Sequence, residues 1–452
     1  MERLTAEDRL MLWPDERWPQ DIGALAVLDG AGRLLDPDGR FRVEEARRAV
    51  EARLHLVPRF RQVLHVPRHG LGGPVWTDDP AFDLAGHVRV TGVPAPGDEA
   101  ALLRVTELLR RRLDRSRPLW EMWFLTGLPA RRIGLFARMH HAIADGIAGV
   151  ATLSAFLDAT PSAPAGPARP WKPAPVPTAR SLLADNLRRQ AVGMGGALSA
   201  VVTPRTTARQ VQDVLSAMRG MVSAPPTPRT SLDQVVGADR SLALIRGNLD
   251  LARQVAHRHG AKVNDVLLAV TAAGLRGLLR GRGEPVENLA LPVYVPVTLR
   301  PAQHREQARG NLVGQMVVRL PIGEPDSGLR LEQIAADAAR QKASSHPNLG
   351  TMFRSRLARR ALLAFLDRHP VSLTTADVPG PEVPVYFAGA RVLEVFPVLP
   401  LVANVTIGVG ALSYAGQFNI TVVADHDAVP DLGTFTAAAR SELRALCEPV
   451  SA

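Results

Sequence analysis

Two adjacent histidines, followed closely by an aspartate and a glycine, form the part of this sequence best suited to chemistry. The segment reads His140-His141-Ala142-Ile143-Ala144-Asp145-Gly146. Imidazole titrates near neutral pH, so a histidine here can remove the proton of a hydroxyl group as that group attacks a carbonyl. The sequence contains no nucleophile elbow, Walker A loop or dinucleotide-binding glycine motif. A general base without a partner nucleophile suggests direct transfer between two bound substrates.

The residues before the two histidines predict a strand that positions them. Residues 132–139 alternate Ile133, Leu135, Ala137 and Met139 with the residues between them, which is strand periodicity. Neighbouring strand residues point to opposite faces, so one histidine can face a cleft while the other packs backwards. The same alternation makes the pair a poor bidentate metal site, because metalloprotease histidines stand four apart on a helix.

The residues after the histidines indicate a turn that leads into a helix. Helical spacing resumes over residues 146–157. Asp145 is placed to cap that helix, since aspartate is a favoured N-cap residue. Gly146 lets the backbone pass close to whatever occupies the cleft.

Length and composition bound the class of protein. The chain has 452 residues, of which 46% are apolar, enough for two or three domains with large cores. The single cysteine, Cys447, fits a reducing compartment and excludes an internal disulfide. The net charge is +10, but no run of five basic residues occurs and there are only three tyrosines, which argues against a nucleic-acid groove.

The sequence predicts neither a signal peptide nor a transmembrane helix. The N-terminal MERLTAEDRL carries acids and lacks the apolar region of a signal peptide. Residues 395–424 are uncharged and long enough to span a bilayer, but they contain prolines, asparagines and glycines. Their alternation predicts buried strands joined by a turn near residues 413–416, and hence a soluble or peripheral protein.

Two proline-rich breaks divide the chain into three parts. Seven prolines fall within residues 160–180, and a shorter break lies at residues 224–230. We therefore predict an N-terminal lobe over residues 1–160, a linker and bridging helical region over 161–235, and a C-terminal lobe over 236–452. Both lobes mix helix and strand without regular βα alternation. The predicted fold class is mixed α/β (α+β) and not a doubly wound parallel sheet.

With these elements in place, the sequence resembles a known family. HHAIADG looks like the HHxxxDG motif of the CoA-dependent acyltransferase superfamily. The surrounding blocks resemble those of the bacterial wax ester synthase/diacylglycerol acyltransferase family, and in order they cover nearly the whole chain. They are Phe60-Arg61-Gln62, Trp76, Phe82-Asp83, His87-Val88-Arg89, Pro118-Leu119-Trp120, Val263-Asn264-Asp265, Gly310-Asn311 and Val378-Pro379-Gly380-Pro381.

The resemblance implies a fold, a mechanism and a set of site residues. The fold would be two-lobed and chloramphenicol-acetyltransferase-like, with a channel between the lobes. His141 would be the general base, Asn264 a donor to the tetrahedral oxyanion, and CoA would leave without an acyl-enzyme. The predicted catalytic residues are His140, His141, Asp145 and Gly146. The predicted substrate-binding residues are Asn264, Asp265, Thr375 and Asp377. Neither a metal nor a redox cofactor is implied.

Several of these residues also have a purely structural interpretation. Asp145 is expected to hold the loop, through a cap or an ion pair, and not to relay protons. Asp265 is expected to cap the helix that follows it. Pro118-Leu119-Trp120 is expected to pack around the strand that carries His141, and Pro379-Gly380-Pro381 to form a turn.

Two segments depart from the family pattern. Residues 18–23 read Trp-Pro-Gln-Asp-Ile-Gly where the family often has a proline-methionine-histidine stretch. Ala376-Asp377 stands where the family usually has Ser-Asn, and Thr374 or Thr375 is a candidate to replace the missing serine. If Asp377 faces the channel, it puts an acid where the family has a neutral amide.

The predicted function is acyl-CoA-dependent transfer of a fatty acyl group to diacylglycerol, a long-chain alcohol, or both. Two alternatives stay open: an acyltransferase of specialised metabolism that uses CoA or a carrier protein, and a non-catalytic member that binds acyl ligands. The predicted partners are acyl-CoA and the acceptor alcohol, with no nucleic acid. The predicted location is cytoplasmic, with peripheral attachment to the inner face of the plasma membrane or to lipid droplets as a further possibility.

The membrane hypothesis depends on the bridging region. It has an apolar side, and its arginines outnumber its acids, a combination typical of helices that lie on anionic surfaces. A helix packed across both lobes is the alternative. The residues concerned are Leu182, Leu183, Ala191, Val192, Met194, Leu198, Val201 and Val202, with Arg188, Arg189, Arg205, Arg209 and Arg219 against Asp185 and Asp213.

Overall fold

The computed structural model describes residues 2–12, 15, 17–68, 70–94, 97–144, 146–162, 166–202, 228–298, 313–343 and 371–447. The helices in these ranges are α1 (Ala6–Leu12), α2 (Val43–Glu51), α3 (Asp98–Leu109), α4 (Gly146–Ser154), α5 (Ala179–Val202), α6 (Leu249–Arg258), α7 (Val263–Gly281), α8 (Ser327–Ala343) and α9 (Leu432–Cys447). The strands are β1 (Glu2–Arg3), β2 (Asp21–Leu28), β3 (Gln62–His65), β4 (Val75–Asp78), β5 (Val88–Gly92), β6 (Trp120–Thr126), β7 (Ile133–His140), β8 (Arg240–Asn248), β9 (Ala290–Thr298), β10 (Val313–Pro321), β11 (Leu373–Pro379), β12 (Tyr386–Phe387), β13 (Ala390–Val398), β14 (Ile407–Tyr414) and β15 (Gln417–Asp425).

These strands form three sheets. The first six-stranded sheet has the order β12-β13-β2-β7-β6-β5, the second has the order β10-β9-β11-β14-β15-β8, and β1-β4-β3 form a small third sheet. Most neighbours are antiparallel, while β5 runs parallel to β6, and β11 runs parallel to both β9 and β14. The mixed α/β class predicted from the sequence is confirmed.

Strand β7 lies in the interior of the first sheet, between β2 and β6. All eight of its residues are buried. Its odd-numbered residues, such as Leu135 and Ala137, join the core on one face of the sheet, and Phe136 joins the core on the other face. The strand is therefore covered on both sides, as its continuous apolar run predicts.

The second sheet has a helical layer on one face. Residues of α6, α7, α8 and α9 form one core with Val293, Leu373, Val409 and Ile420 of the sheet. Helix α7 confirms the buried helix predicted over residues 264–279, because most of its side chains are buried. Its burial on nearly every side explains why its apolar pattern is continuous and not amphipathic.

The opposite face of the second sheet packs against the first sheet. Leu244 and Val423 share a core with Leu25, Phe136 and Phe396 of the first sheet. Strand β13 lies close to β14, since a Cβ built on Gly410 would stand 3.1 Å from the Pro397 side chain. Glycine at this position permits that close approach.

The two halves of the chain also interlock through specific contacts. Strand β13 belongs to the second half of the sequence but pairs with β2 in the first sheet. The Trp18 indole donates to the Val236 carbonyl at 3.1 Å, and Arg246 binds both Glu394 and Asp98. The lobe boundaries proposed from proline content stay a prediction.

The uncharged run over residues 395–424 is made of strands, as predicted. It contributes to β13, β14 and β15, and the last two are joined by a turn at Ala415 and Gly416, which both have positive φ. Within the ranges given above, no helix is both long and apolar enough to cross a bilayer.

Candidate active site

The two histidines stand where β7 ends. Strand β7 stops at His140, and His141 begins the turn that follows. The His140 N–H donates to the Leu119 carbonyl at 2.9 Å, whereas the His141 N–H donates to the Gln20 carbonyl at 2.7 Å. Leu119 immediately precedes β6 and Gln20 immediately precedes β2, on opposite sides of β7. The alternation predicted for the pair therefore continues through His141, although the strand ends one residue earlier.

Both ring nitrogens of His140 lie against protein groups. The Ala142 N–H donates to its Nδ1 at 3.0 Å, and its Nε2 lies 3.3 Å from Asp15 Oδ1. Because Nδ1 accepts a hydrogen bond, the proton of the neutral ring is on Nε2. The residue is only 2% exposed. With its acceptor nitrogen occupied by the backbone, His140 has no lone pair to offer to a substrate hydroxyl.

A group of buried charges lies behind His140. Arg138, in β7, contacts Glu121 Oε2 at 2.9 Å and Asp21 Oδ2 at 3.3 Å, and it donates to the Arg111 carbonyl at 2.7 Å. Burial raises the pKa of Asp21 to about 6 despite the nearby guanidinium. These contacts of Arg138 hold the end of strand β7 in place on this side of the motif.

The pKa of Asp15 is shifted in the opposite direction from that of Asp21. Its carboxylate accepts from the Gln20 N–H at 2.9 Å and from Arg115 at 2.5 Å, in addition to its contact with His140. Burial opposes its ionisation, but the contacts with His140, Arg115 and Gln20 outweigh that effect and hold the pKa of Asp15 well below its usual range.

A cavity of about 310 Å³ opens on this side of the motif. It is lined by charged and apolar side chains in similar number: Asp15, Pro19, Asp21, Arg112, Leu113, Arg115, Leu119 and His140. The cavity therefore touches the first histidine and its acidic neighbours. Its opposite charges are balanced, which does not favour a strongly anionic ligand.

His141 has different surroundings from His140. It is half-buried and lies in a turn that is closed by the Ile143 N–H donating to the His140 carbonyl at 2.9 Å. The turn leads to Gly146, the first residue of α4. Asp145, predicted to hold this loop, lies outside the described residues.

Gly146 brings the histidine motif next to a second predicted block. A Cβ built on Gly146 would stand 3.4 Å from Val378 Cγ2, and α4 packs against β11. Helix α4 also contacts β2 through Gly149 and Ile22. The helix thus links the first sheet, which holds the histidines, to strand β11 of the second sheet.

Strand β11 carries Thr375 and Asp377. Side chains alternate along a strand, so these two share the face of Leu373, which belongs to the core beneath α7, while Val378 faces Gly146. Thr375 is fully buried, and its Oγ1 has no hydrogen-bond partner in the described part of the chain. Burial raises the pKa of Asp377 to about 6. Thr374 lies on the other face, with its hydroxyl 3.4 Å from the Tyr294 carbonyl.

Asn264 and Asp265 lie in the first turn of α7. The Asp265 carboxylate accepts from the Lys262 N–H at 2.8 Å, so it caps the helix from its third position and not as the N-cap residue. Burial raises the pKa of Asp265. Asn264 is half-buried. Helix α7 packs against β11, so β11 is the element that the histidine motif and the Asn264 helix both contact.

Of two other blocks predicted from the sequence, the structure describes one. Leu119 and Trp120 are buried beside β7, and the Trp120 indole donates to the Phe60 carbonyl at 2.8 Å, which confirms their predicted packing role. Gly310 and Asn311 lie outside the described residues.

Asp15 is the residue near the site that sequence reasoning missed. No periodic pattern singles it out, and its partner His140 stands far along the chain. The one indirect indication was the unusual segment at residues 18–23, which contains Gln20.

Comparison with known proteins supplies the context for this arrangement. The model for the wax ester synthase/diacylglycerol acyltransferase catalytic domain matches residues 4–267, and the model for the C-terminal domain of the same family matches residues 309–447. A putative diacylglycerol O-acyltransferase of Mycobacterium tuberculosis strain H37Rv is 31% identical over 454 residues, covering 95% of this chain and 93% of that protein. A second, a probable diacylglycerol O-acyltransferase of the same strain, is 29% identical and covers 91% of this chain and 88% of that protein.

Solved structures share the fold. The wax ester synthase/diacylglycerol acyltransferase from Marinobacter aquaeolei VT8 superposes with a TM-score of 0.69 at 24% identity, covering 98% of each chain. The first condensation domain of the calcium-dependent antibiotic synthetase gives a TM-score of 0.63 at 16% identity, covering 100% of this chain and 97% of that one. At these identities the likeness concerns the fold.

Proposed function

This chain belongs to the wax ester synthase/diacylglycerol acyltransferase family, and we propose that its acceptor is diacylglycerol, a long-chain alcohol, or both. Family membership makes it an acyl-CoA-dependent O-acyltransferase. The relatives named above as diacylglycerol O-acyltransferases support the first acceptor, and the Marinobacter protein, named for both activities, supports the second.

The observation that carries the proposed mechanism is the difference between the two histidines. Nδ1 of His140 accepts the Ala142 N–H, and Nε2 faces Asp15, so that ring is used by the protein itself. His141 is half-buried in the turn beyond the strand. We assign the general-base role to His141 because the HHxxxDG resemblance places the base at the second histidine, and the lone pair of the His140 ring already accepts the Ala142 N–H.

The proposed reaction is a single displacement. His141 takes the proton of the acceptor hydroxyl while its oxygen attacks the thioester carbonyl of acyl-CoA. The tetrahedral intermediate then expels the CoA sulfur as the C–S bond breaks. The proton returns from His141 to that sulfur, so the products are the ester and CoA thiol, and no acyl-enzyme forms.

The oxyanion of that intermediate needs hydrogen-bond donors. We propose the Asn264 side-chain amide, which lies at the half-buried start of α7. Thr375 is a weaker candidate, because its hydroxyl, which has no partner among the described residues, is fully buried on the β11 face beneath α7, opposite to the face that meets Gly146. Asp265 supports this arrangement by capping α7, and Asp377 lines the same face of β11 as an acid with a raised pKa.

We further propose that the channel for the two substrates follows the boundary between an N-terminal lobe, residues 1–160, and a C-terminal lobe, residues 236–452. Helix α4 supports this, because it packs against β2 of the first sheet and β11 of the second. The bridging region over residues 161–235 would then connect lobes that face one shared site.

Helix α5 supports the proposal of peripheral attachment to an anionic lipid surface. Its start is fixed to the body of the protein by the ion pair of Asp185 with Arg3 and by Asn186 donating to the Gly70 carbonyl. Beyond that point Leu187 is 55% exposed and Val192 is 70% exposed.

The exposed part of α5 combines apolar and cationic side chains. Arg188 and Arg189 are exposed beside Leu187. Exposed apolar side chains and arginines both favour the headgroup region of an anionic membrane. Arg205, Arg209, Asp213 and Arg219 of the predicted surface lie outside the described residues.

The test is an acyl-transfer assay with purified protein. Palmitoyl-CoA is mixed with dipalmitoylglycerol, hexadecanol, glycerol or no acceptor, and free thiol release is followed together with product formation. We expect thiol release that depends on one of the two oily acceptors. Release that required a carrier-protein thioester would favour the specialised-metabolism alternative, and binding of palmitoyl-CoA without any release would favour the non-catalytic one.

A further inference from the structure

Asp15 contacts three groups at the back of the histidine motif. Its Oδ1 accepts from the Gln20 N–H at 2.9 Å and lies 3.3 Å from His140 Nε2, while its Oδ2 accepts from Arg115 at 2.5 Å. Its side chain is only 11% exposed. A carboxylate suits this place because its two oxygens accept hydrogen bonds from Gln20 and Arg115, and its negative charge lies next to the His140 ring.

Two of these contacts lead directly to the backbone of His141. Gln20, held at its N–H by Asp15, accepts the His141 N–H on its carbonyl at 2.7 Å. His140, whose Nε2 lies 3.3 Å from Asp15 Oδ1, accepts the Ala142 N–H on Nδ1 at 3.0 Å. Two consecutive peptide groups, those of residues 141 and 142, are thus fixed through one carboxylate.

We propose that Asp15 is a positioning residue for the transfer reaction, which fixes the peptide groups on both sides of the His141 side chain and thereby the direction of its imidazole. The inference rests on the proposed role of His141 as the base. Asp15 is proposed to act through Gln20 and His140 and not through contact with the reacting atoms. Its effect is expected in turnover, because a misplacement of about 1 Å in a reacting group can cost about 100-fold in rate.

The direct test replaces Asp15 by asparagine, a residue of the same shape. The amide NH₂ would face Arg115 or His140 Nε2–H, so at least one of the two contacts is lost. We expect kcat to fall about 10- to 100-fold while KM for palmitoyl-CoA changes by less than about twofold, since ground-state binding is not affected. Asp15→Asn with wild-type kcat in an active wild-type background would overturn the inference.

Asp158 offers a matched control. Its side chain is 9% exposed and forms an ion pair with Arg53, in a part of the first half of the chain that does not contact the motif. Asp158→Asn therefore makes the same chemical change in a similar environment. We expect it to leave kcat unchanged, whatever the direction of its effect on the melting temperature. An equal loss of kcat in both variants would mean that Asp15 acts only through stability.

Rescue by a small carboxylate separates positioning from folding. Asp15→Ala would enlarge the cavity of about 310 Å³ that Asp15 lines with Arg112, Arg115 and His140. Sodium formate should restore part of its turnover, and sodium chloride at equal ionic strength should not. His141→Ala should not respond to formate. Absence of rescue in a folded, impaired Asp15→Ala would count against the proposal.

A measurement on the unaltered protein covers the case in which the variants do not fold. Nitrogen-15 spectra of histidine-labelled protein report the tautomer of each ring, and His140→Asn identifies the His140 signals. We expect the Nε2-protonated tautomer, because Nδ1 must accept the Ala142 N–H. The Nδ1-protonated tautomer would overturn the inference. Absence of thiol release by the wild-type protein would instead refute the proposed function.

Discussion

The two sides of the peptide that joins His140 to His141 differ in almost every physical respect. On the His140 side, the ring is buried, its two nitrogens face Ala142 and Asp15, and the charges of Asp21, Glu121 and Arg138 lie behind it. On the His141 side, the residue is half-buried in a turn that adjoins α4, and α4 in turn lies against Val378 of β11.

This difference supports the separate tasks that we propose for two identical side chains. Their N–H groups donate in opposite directions, to Leu119 and to Gln20, because the extended backbone alternates. One ring is therefore sent into the body of the first sheet, where polar partners hold it. The other lies half-buried in the turn beyond the strand, where we propose that the substrates approach, and the first ring accepts a hydrogen bond from that turn.

The largest effect is expected for His141→Ala. Loss of a general base costs on the order of 10²–10⁴ in rate. Thiol release from palmitoyl-CoA should fall by that factor, while the melting temperature stays near that of the wild type because the residue is only half-buried. A folded variant with undiminished thiol release would remove the functional distinction between the two histidines.

His140→Ala should show the reverse balance. It leaves a cavity and removes the partners of the Ala142 N–H and of Asp15, which costs about 1–3 kcal/mol for the buried groups left unsatisfied. We expect a lower denaturation midpoint in urea, with a smaller loss of turnover than in His141→Ala. If His140→Ala were as inactive as His141→Ala at a temperature where it is fully folded, both rings would have to take part in the reaction.

The acids on the two sides of the motif should respond to pH with opposite signs. Burial raises the pKa of Asp377 to about 6, so the folded state retains a proton that the unfolded state has lost, and this acid makes the protein less stable as pH rises from about 4 to 6. The pKa of Asp15 is lowered, so its contribution is present above the pKa of the unfolded chain and is lost as pH falls below it.

Asp377→Asn should therefore stabilise the protein above pH 6, by about 1–2 kcal/mol once partial exposure is allowed for. Asp15→Asn should destabilise it at the same pH. Urea denaturation of both variants between pH 4 and 8 checks the signs. Turnover of Asp377→Asn that is unchanged from pH 6 to 9 would place Asp377 away from the substrates.

The smallest effect is expected in α5 and the segment that follows it, of which Arg205 and Arg209 lie outside the described residues. Changing Arg188, Arg189, Arg205 and Arg209 to Gln should weaken flotation with vesicles that contain anionic lipid, by roughly 1 kcal/mol for each arginine near the surface. Thiol release from soluble substrates should not change. A control with exposed arginines elsewhere, Arg48, Arg117, Arg253 and Arg340, should float as the wild type does. Equal flotation of both variants would leave α5 without a role at membranes.

The sequence predicted those parts of the site that depend on local patterns. Alternating apolar residues placed β7, and β7 presents the histidines near the predicted position. The continuous apolar run of residues 264–279 predicted helix α7. The predicted start of this helix was wrong by one residue. Helix α7 begins at Val263, so Asp265 caps it from the third position and not from the N-cap.

Contacts between distant residues could not be predicted in this way. Asp15 and His140 are brought together by pairing of β2 with β7, and no local period records that pairing. The adjacency of Gly146 and Val378 likewise depends on the packing of α4 against both sheets. Such contacts follow from the tertiary fold, which a single sequence specifies only through many weak preferences acting together.

The most direct test of the account is the pH dependence of kcat/KM for the wild type, His140→Ala and His141→Ala. A general base must be deprotonated to act, so its titration produces a decline of the rate on the acid side. The account predicts that this decline appears in the wild type, persists in His140→Ala and disappears from the residual activity of His141→Ala. A decline that survived unchanged in His141→Ala, or that vanished only in His140→Ala, would contradict the assignment of the base to His141.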